Sequence, residues 1–205
     1  MVDDTIIIIF GFSGSGKSTI ANLVGERYKL RVIHPSGILR DLYEGKEVDI
    51  GNTRYNTGFW ESEEGVRLFK GRLDEEEPLD VISDRILIEE VKKGNVIIDS
   101  WSLPWLTDKG TKVYLEAELE VRAQRVATRS RISYDQALDV VAMKDEETKK
   151  LFKRLYGFDI QQDHTVFDDV INTNGLNPKE VFTTLCTYLA QKEIVPQFIQ
   201  KPRGS

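Results

Sequence analysis

The residues best suited to chemistry lie in a glycine-rich segment near the start of the chain. Residues 11–18, GFSGSGKS, match G-x-x-x-x-G-K-[ST] at every fixed position. The glycines let backbone N–H groups turn towards an anion, and a helix N-terminus behind them favours negative charge. We expect Lys17 to reach the β- and γ-phosphates of a nucleoside triphosphate and Ser18 to ligate Mg²⁺. The predicted cofactor-binding loop comprises Gly11, Ser13, Gly14, Ser15, Gly16, Lys17, Ser18 and Thr19.

The residues on either side of this segment decide whether it is a phosphate-binding loop or a Gly/Ser turn that matches the motif by chance. Residues 5–10, TIIIIF, form the apolar, β-branched run of a parallel strand that is buried on both faces. Residues 19–29 place Ile20, Leu23 and Val24 on one side of a predicted helix. A buried strand before the loop and an amphipathic helix after it form the context that the motif requires.

A second basic segment is also suited to phosphate. Arg122, Arg125 and Arg129 follow the spacing i, i+3, i+7, which places them on one helical face. A guanidinium group binds two oxygens of one phosphoryl group, so such a face suits a phosphate in transfer. The alternative is a solvated basic face that pairs with neighbouring glutamates. The phosphate-binding loop elsewhere in the chain favours the first interpretation.

The strand at residues 95–99, NVIID, ends in an aspartate that resembles a Walker B carboxylate. Asp99 is therefore a candidate to hold Mg²⁺ through water, the alternative being a cap after the strand. Trp101 and Trp105 either form an aromatic wall beside an acceptor base or pack in the core.

Other polar residues carry weaker signals. The two histidines, His34 and His164, lack metal-ligand spacing, and we predict no site role for them. The acidic runs at 61–64 and 74–77 are predicted to be solvated faces.

Strands that alternate with helices predict an α/β fold with a parallel sheet. We expect one domain over residues 1–195, with an irregular stretch at 44–78 and a flexible tail at 196–205. The excess of 34 acidic over 28 basic residues argues against nucleic-acid binding. No apolar run approaches a membrane span, no signal peptide is visible, and the single cysteine excludes an internal disulfide. A cytoplasmic location is the resulting expectation, and the oligomeric state stays open.

Several sequence blocks resemble the short archaeal-type cytidylate kinases among the nucleoside monophosphate kinases. They are GFSGSGKSTIANLVGE, HPSGILRDLYEG, the helix with Asp80, Asp84 and Arg85, GNVIID, LEVRAQRVATRSRISYDQAL, RLYGFDI and VFDDVINTNGLNPKEVF. The resemblance implies a three-layer P-loop kinase fold with a central parallel sheet. It also implies a helical acceptor-binding region at about 36–93 and a helical lid at about 122–157.

The resemblance implies a reaction and assigns residue roles. The reaction is transfer of the γ-phosphate of ATP, with Mg²⁺, to CMP, dCMP or a related monophosphate. The acceptor would be bound by Ser36, Arg40, Asp84 and Arg85, with Trp101 as a further candidate. The lid would contribute Arg125, Arg129 and Arg131 to catalysis beside Lys17, and Asn172 and Thr173 would contact the adenine of ATP.

The chain departs from this family at the acceptor side. A glycine–arginine pair usually follows the third buried strand, whereas this chain has Ser100 and Trp101 there. Lys144, Lys149 and Lys150 stand where arginines are expected, and lysine is a point charge rather than a fork. Two alternatives therefore remain: a kinase for another small acceptor, such as a nucleoside or coenzyme precursor, or an ATP-binding regulatory or assembly protein.

Overall fold

A computed structural model describes residues 4–52, 58–72 and 78–196. In these residues one parallel sheet has the order β2-β3-β1-β4-β5. Its strands are β1 (Ile6–Phe10), β2 (Arg31–Ile33), β3 (Val96–Asp99), β4 (Thr111–Glu116) and β5 (Asp169–Asn172). The predicted α/β class and parallel sheet are confirmed.

The helices of the described ranges include members that pack on each face of the sheet. They are α1 (Lys17–Tyr28), α2 (Pro35–Tyr43), α3 (Glu63–Gly71), α4 (Leu79–Lys92), α5 (Leu103–Leu106), α6 (Leu119–Ser130), α7 (Tyr134–Tyr156) and α8 (Pro178–Gln191). Short 3-10 helices lie at Ile50–Asn52 and Phe59–Glu61.

The central strand β1 is buried on both faces because its side chains alternate between two cores. Ile7 and Ile9 belong to one core, which includes residues of α1 and α8. Ile8 belongs to the other, with residues of α2 and α4. Successive side chains of a strand point to opposite faces, so an all-apolar strand requires a layer on each side. The three-layer arrangement follows from that pattern.

Strand register brings the predicted site residues to one edge of the sheet. Ile9 of β1 pairs with Asp99 of β3, so both strands end at the same level. The glycine-rich loop follows β1 and leads into α1, as the sequence predicts. In parallel α/β sheets, ligands bind beyond the carboxyl ends of the strands.

Helices α6 and α7 form a hairpin, which we call the α6–α7 hairpin. It packs through a small apolar cluster of its own, including Ala123, Val126, Ala137 and Val141. The side chain of Ser133 accepts a hydrogen bond from the Gln136 amide in a capping box that starts α7.

The described part of the stretch at 44–78 is more regular than expected from the sequence, because it contains α3. Ser62 caps this helix by accepting a hydrogen bond from Gly65 N. Apart from Pro196, the predicted tail lies outside the described residues, as does the acidic run at 74–77. Within the ranges described, none of the helices combines the length and apolar composition that crossing a bilayer requires.

Candidate active site

A cavity of about 430 Å³ brings many of the predicted site residues together at the carboxyl edge of the sheet. Its size suits a small-molecule ligand. Predicted residues in its wall are Ser13, Gly14, Ser15, Gly16, Lys17, Ser18, Thr19, Ser36, Asp84, Asp99, Trp101, Arg125 and Arg129. The wall also contains Trp60 and Lys144, together with residues for which no site role was predicted: Glu61, Phe69, Arg72, Asp80 and Ser83.

The glycine-rich loop has the backbone shape of an anion-binding site. Gly14 and Gly16 have φ angles of 85° and 98°, in the left-handed region that favours glycine. A Cβ at Gly14 would also lie 2.6 Å from the carbonyl oxygen of Arg122. The first amides of α1 have no acceptor within the helix, and the buried Ser15 Oγ has no partner among the described residues. These donors fit a phosphate chain.

Lys17 is held at the cavity beside an aromatic ring. Its Nζ lies 5.1 Å from the centroid of Trp101, whose Nε1 donates a hydrogen bond to Gly11 O at 2.8 Å. Burial lowers the pKa of Lys17 to about 8, although the nearby Asp99 carboxylate acts in the opposite direction. A phosphate group would supply the negative charge that favours the ammonium form.

A hydroxyl and a carboxylate meet beside this lysine. Ser18 Oγ donates a hydrogen bond to Asp99 Oδ2, and His34 Nδ1 lies 2.9 Å from Asp99 Oδ1. His34 Nε2 lies 3.0 Å from Asn22 Oδ1, so the ring is fixed at both nitrogens. Hydroxyl and carboxylate oxygens are the ligands that Mg²⁺ takes in phosphate-transfer sites, so these residues fit the ion. His34, for which no site role was predicted, thus contacts a candidate metal ligand.

In the described ranges there is no group of three His, Cys, Asp or Glu residues that could hold a metal by themselves. Mg²⁺ in phosphate-transfer sites is usually held by one or two protein oxygens together with substrate phosphates and water. His164 packs against Tyr114, with ring centroids 5.2 Å apart, and does not line the cavity.

The arginines of α6 point to different partners rather than to one solvated face. Arg122 pairs with Asp145 at 2.7 Å and donates to Ser13 O at 3.1 Å. Arg125 donates to Ser15 O at 3.3 Å and to Thr173 O at 2.6 Å. Arg122 and Arg125 therefore attach the α6–α7 hairpin to the backbone of the glycine-rich loop.

Arg129 meets a buried carboxylate at the cavity wall. Its Nη2 lies 3.2 Å from Glu61 Oε1, which also accepts a hydrogen bond from Lys144 Nζ at 2.6 Å. Ser130 Oγ donates to the other oxygen of Glu61 at 3.3 Å. Burial disfavours the ionised form of Glu61, but Lys144 and Arg129 outweigh it and hold the pKa of Glu61 below its usual range. The prediction that Glu61 belongs to a solvated acidic face is wrong.

Helix α4 contributes two buried aspartates to the far part of the cavity. Asp84 Oδ1 accepts from Ser102 Oγ at 2.5 Å, and Asp84 Oδ2 accepts from Tyr156 OH at 2.7 Å. Burial raises the pKa of Asp84 to about 7, despite these hydrogen bonds. Asp80 forms a buried ion pair with Arg72, with Asp80 Oδ1 and Arg72 Nη1 2.7 Å apart.

Several residues that the sequence analysis assigned to the site do not line this cavity in the described structure: Gly11, Arg40, Arg85, Arg131, Asn172 and Thr173. Arg40 pairs with Glu44 at 2.8 Å and lies over the ring of Phe59. Arg85 and Arg131 are exposed. Thr173 binds Arg125, and Asn172 donates to Glu116 Oε2 at 3.4 Å.

Trp101 lines the cavity, whereas Trp105 does not. The ring of Trp105 stacks on Phe158, with centroids 5.0 Å apart, and its Nε1 donates to Asp163 Oδ2 at 3.1 Å. Of the two interpretations offered by the sequence, core packing therefore applies to Trp105.

The sheet order and the loop after the central strand define a three-layer P-loop kinase fold. Solved structures with a similar fold include the shikimate kinase of Bacteroides thetaiotaomicron, with a TM-score of 0.55 and 16% identity over 92% of this chain and 98% of that one. The shikimate kinase of Acinetobacter baumannii in complex with shikimate gives a TM-score of 0.53 and 14% identity over 92% and 94%. At such identities the similarity shows the fold alone.

Sequence similarity assigns the chain to a family within this fold. The sequence model of the cytidylate kinase-like family matches residues 6–175, and the chain belongs to that family. A cytidylate kinase of Ignicoccus hospitalis is 33% identical over 183 residues, which are 88% of this chain and 96% of that protein. One from Saccharolobus islandicus is 33% identical over 94% of both chains, and one from Pyrococcus horikoshii is 30% identical over 88% of this chain and 85% of that protein.

Proposed function

We propose that this ATP-dependent phosphotransferase moves the γ-phosphoryl group of ATP to CMP, dCMP or a related nucleoside monophosphate. The observation that carries the proposal is one cavity lined by Lys17 of the glycine-rich loop, Arg129 of the α6–α7 hairpin and Asp84 of α4. A phosphate donor and a small acceptor can therefore share one space. The names of the similar archaeal proteins support CMP as the acceptor.

In this proposal the glycine-rich loop binds the triphosphate of ATP. Its backbone amides and the N-terminus of α1 surround the phosphates, and the ammonium group of Lys17 lies against the β- and γ-phosphates. We assign the contact with the adenine to the Asn172–Thr173 loop. Arg125, which bonds both to Ser15 O and to Thr173, connects these two parts of the donor site.

Ser18 and Asp99 would hold Mg²⁺, and His34 would orient the Asp99 carboxylate. When bound, the ion neutralises charge on the β- and γ-phosphate oxygens. The arrangement resembles that of P-loop NTPases, in which a loop hydroxyl and a strand-end aspartate hold the ion.

Transfer then depends on positioning and on charge stabilisation. The phosphate oxygen of the acceptor is already ionised at neutral pH, so the reaction needs neither a general base nor a covalent intermediate. Lys17 and Arg129 stabilise the negative charge that develops on the transferring group and on the leaving ADP. Closure of the α6–α7 hairpin over the phosphates would exclude water, which otherwise competes as the acceptor.

On the acceptor side, Ser36, Asp84 and Trp101 line the cavity, and the proposal assigns them to the monophosphate. Arg40, Arg85 and Arg131 lie outside its wall, and their assignment rests on the resemblance alone. The departures at Ser100, Trp101 and Lys144 favour a second candidate, a kinase for another small acceptor.

A screen of acceptors tests the proposal. ADP release would be followed with ATP and Mg²⁺ against CMP, dCMP, UMP, AMP, nucleosides and no acceptor, using the wild type and Lys17→Met. We expect ADP release to depend on CMP or dCMP and to be lost in Lys17→Met. Release stimulated by a nucleoside instead would favour the second candidate. Slow release that no acceptor stimulates would favour an ATP-binding regulatory protein.

A further inference from the structure

Three buried polar atoms that α4 and the Phe59–Glu61 segment contribute to the cavity have no hydrogen-bond partner among the described residues. They are Asp80 Oδ2, Ser83 Oγ and Trp60 Nε1, and all three residues line the cavity wall. Asp80 is 5% exposed and Ser83 is 2% exposed. Buried polar groups are normally paired, because an unsatisfied one loses its hydrogen bonds to water without replacement. With Ser15 Oγ of the glycine-rich loop, four such atoms lie in the wall of one cavity, which indicates a surface built for polar ligands.

Asp80 is fixed in place with one oxygen left over. Its Oδ1 accepts from Arg72 Nη1 at 2.7 Å. Arg72 is itself held by the carbonyl oxygen of Phe69 at 3.2 Å, and its guanidinium lies 3.7 Å from the Phe69 ring centroid. The second oxygen, Oδ2, is therefore a preorganised acceptor.

Asp84, one turn further along α4, offers no comparable acceptor. Both of its oxygens already accept hydrogen bonds, one from Ser102 and one from Tyr156. A ligand amine would have to displace one of these donors. The resemblance points to Asp84 as the reader of an acceptor base, whereas the hydrogen bonding favours Asp80.

Aromatic rings connect this polar group to the phosphate end of the cavity. Lys17 Nζ lies 5.1 Å from the Trp101 centroid, and the Trp101 and Phe69 centroids are 5.7 Å apart. The centroids of Phe69 and Trp60 are 6.3 Å apart. Two rings thus intervene between Lys17 and Trp60, which suits a planar base at one end of the acceptor and its phosphate at the other.

The atom types define the edge of the base that would fit. Asp80 Oδ2 can only accept, so it requires an N–H donor on the ligand. Trp60 Nε1 can only donate, so it requires a ring nitrogen or carbonyl oxygen, and Ser83 Oγ can do either. The edge of an aminopyrimidine carries an amino group, a ring nitrogen and a carbonyl oxygen in sequence. Uracil would instead place a carbonyl oxygen against the Asp80 carboxylate.

We propose that Asp80, Ser83 and Trp60 form the subsite that reads the amino-pyrimidine edge of the acceptor and selects cytosine over uracil. This inference rests on the proposed function, since it assigns the acceptor base of the same cavity. Cytosine is preferred because uracil would leave a buried polar group of the subsite without a hydrogen-bond partner, which strongly disfavours uracil.

The test compares kcat/KM for CMP and UMP, with saturating ATP and Mg²⁺, across matched variants. Ser83→Ala removes one hydroxyl, and Trp60→Phe removes the indole N–H together with part of the ring system. We expect each to lower kcat/KM for CMP by about tenfold. Asp80→Asn replaces an acceptor by a possible donor, and we expect it to lower the CMP/UMP ratio by at least about tenfold. Trp105→Phe is the control, because it removes an indole N–H outside the cavity and should leave the ratio unchanged.

Thermal unfolding would be measured for each variant, since Asp80→Asn removes the partner of the buried Arg72. Ser83→Ala and Trp60→Phe keep the test decisive if Asp80→Asn fails to fold. Suppose that the wild type phosphorylates CMP and that Ser83→Ala and Trp60→Phe have the same kcat/KM values as Trp105→Phe. That result would overturn the subsite and leave the proposed function standing. No transfer from the wild type to any nucleoside monophosphate would overturn the proposed function, and the subsite with it.

Discussion

Glu61 Oε1 accepts a hydrogen bond from Lys144 Nζ at 2.6 Å, and both side chains are buried in the wall of the cavity that contains the phosphate-binding loop. Arg129 lies 3.2 Å from the same oxygen. A protein carboxylate therefore neutralises two cations at a place where the proposed reaction brings phosphate. The segment Phe59–Glu61 thereby connects the acceptor side to the α6–α7 hairpin.

Glu61→Gln removes the negative charge from this contact and leaves Lys144 as a buried cation. Loss of one partner of a buried ion pair costs about 3–5 kcal/mol, and we expect the free energy of unfolding without nucleotide to fall by that order. Added ATP should raise the melting temperature more in the variant than in the wild type, because its phosphates replace the lost charge. Urea unfolding and melting curves with and without ATP measure both effects.

Glu44→Gln is the matched control for Glu61→Gln. Glu44 pairs with Arg40 and Lys46 at the surface, where ion pairs contribute little. If the two variants had equal stability and an equal response to ATP, the Glu61 carboxylate would not be neutralising the cations of the cavity wall.

His34→Ala tests the assignment of Asp99 to Mg²⁺. His34 contacts the carboxylate rather than the proposed ion, and loss of such an outer partner typically weakens metal affinity by about 10–100-fold. We expect the Mg²⁺ concentration for half-maximal rate to rise in that range, with a smaller effect on the rate at saturating Mg²⁺. His164→Ala, which lies outside the cavity wall, is the control. An unchanged Mg²⁺ requirement in His34→Ala would remove the histidine from the metal site.

Arg129→Ala and Arg131→Ala compare the catalytic roles of two arginines at the end of α6, the first helix of the α6–α7 hairpin. Arg129 lines the cavity, whereas Arg131 follows the helix at φ 57° and is exposed. We expect Arg129→Ala to lower kcat by about 100-fold, the cost of losing one charge stabiliser, and Arg131→Ala to have a much smaller effect. Steady-state kinetics at saturating ATP and CMP measure both. The reverse order would mean that the hairpin must rearrange before transfer.

The parts of the fold that depend on local patterns could be predicted from the sequence. Consecutive residues contain all three parts of one recognisable pattern: the apolar run of β1, the glycine-rich loop and the helix after it. The site around the loop followed because parallel strands end at a common edge, which brings Asp99 to Ser18.

The acceptor side could not be predicted in the same way, because it is assembled from long-range contacts. Glu61 and Arg72 look like surface charges in sequence, and only the packing of α3 against α7 buries them beside Lys144. One local signal was available: Ser62 followed by two glutamates is a helix start, and it would have revealed α3. His34 was missed because its partner Asp99 is distant in sequence.

The burial of Asp84 predicts that the stability of the fold depends on pH. Its folded-state pKa of about 7 lies above its ordinary value of 3.8, so the fold favours the protonated acid. The resulting contribution is fully present below pH 3.8 and is lost as the pH rises through 7. We expect Asp84→Asn to remove a decline on the order of 2–4 kcal/mol between acidic and alkaline pH. Urea unfolding of the wild type and of Asp84→Asn at pH 4.5 and 8 measures this decline. An equal change in the free energy of unfolding between the two pH values in both proteins would contradict the raised pKa of Asp84.

The most direct test of the central claim is to follow the phosphorus atoms themselves. Phosphorus NMR of ATP, Mg²⁺ and CMP with the wild type should show CDP and ADP forming in equal amounts, with little inorganic phosphate. Lys17→Met, folded as judged by circular dichroism, should form neither. Inorganic phosphate and ADP forming at the same rate with and without CMP would contradict direct transfer between two ligands in one cavity.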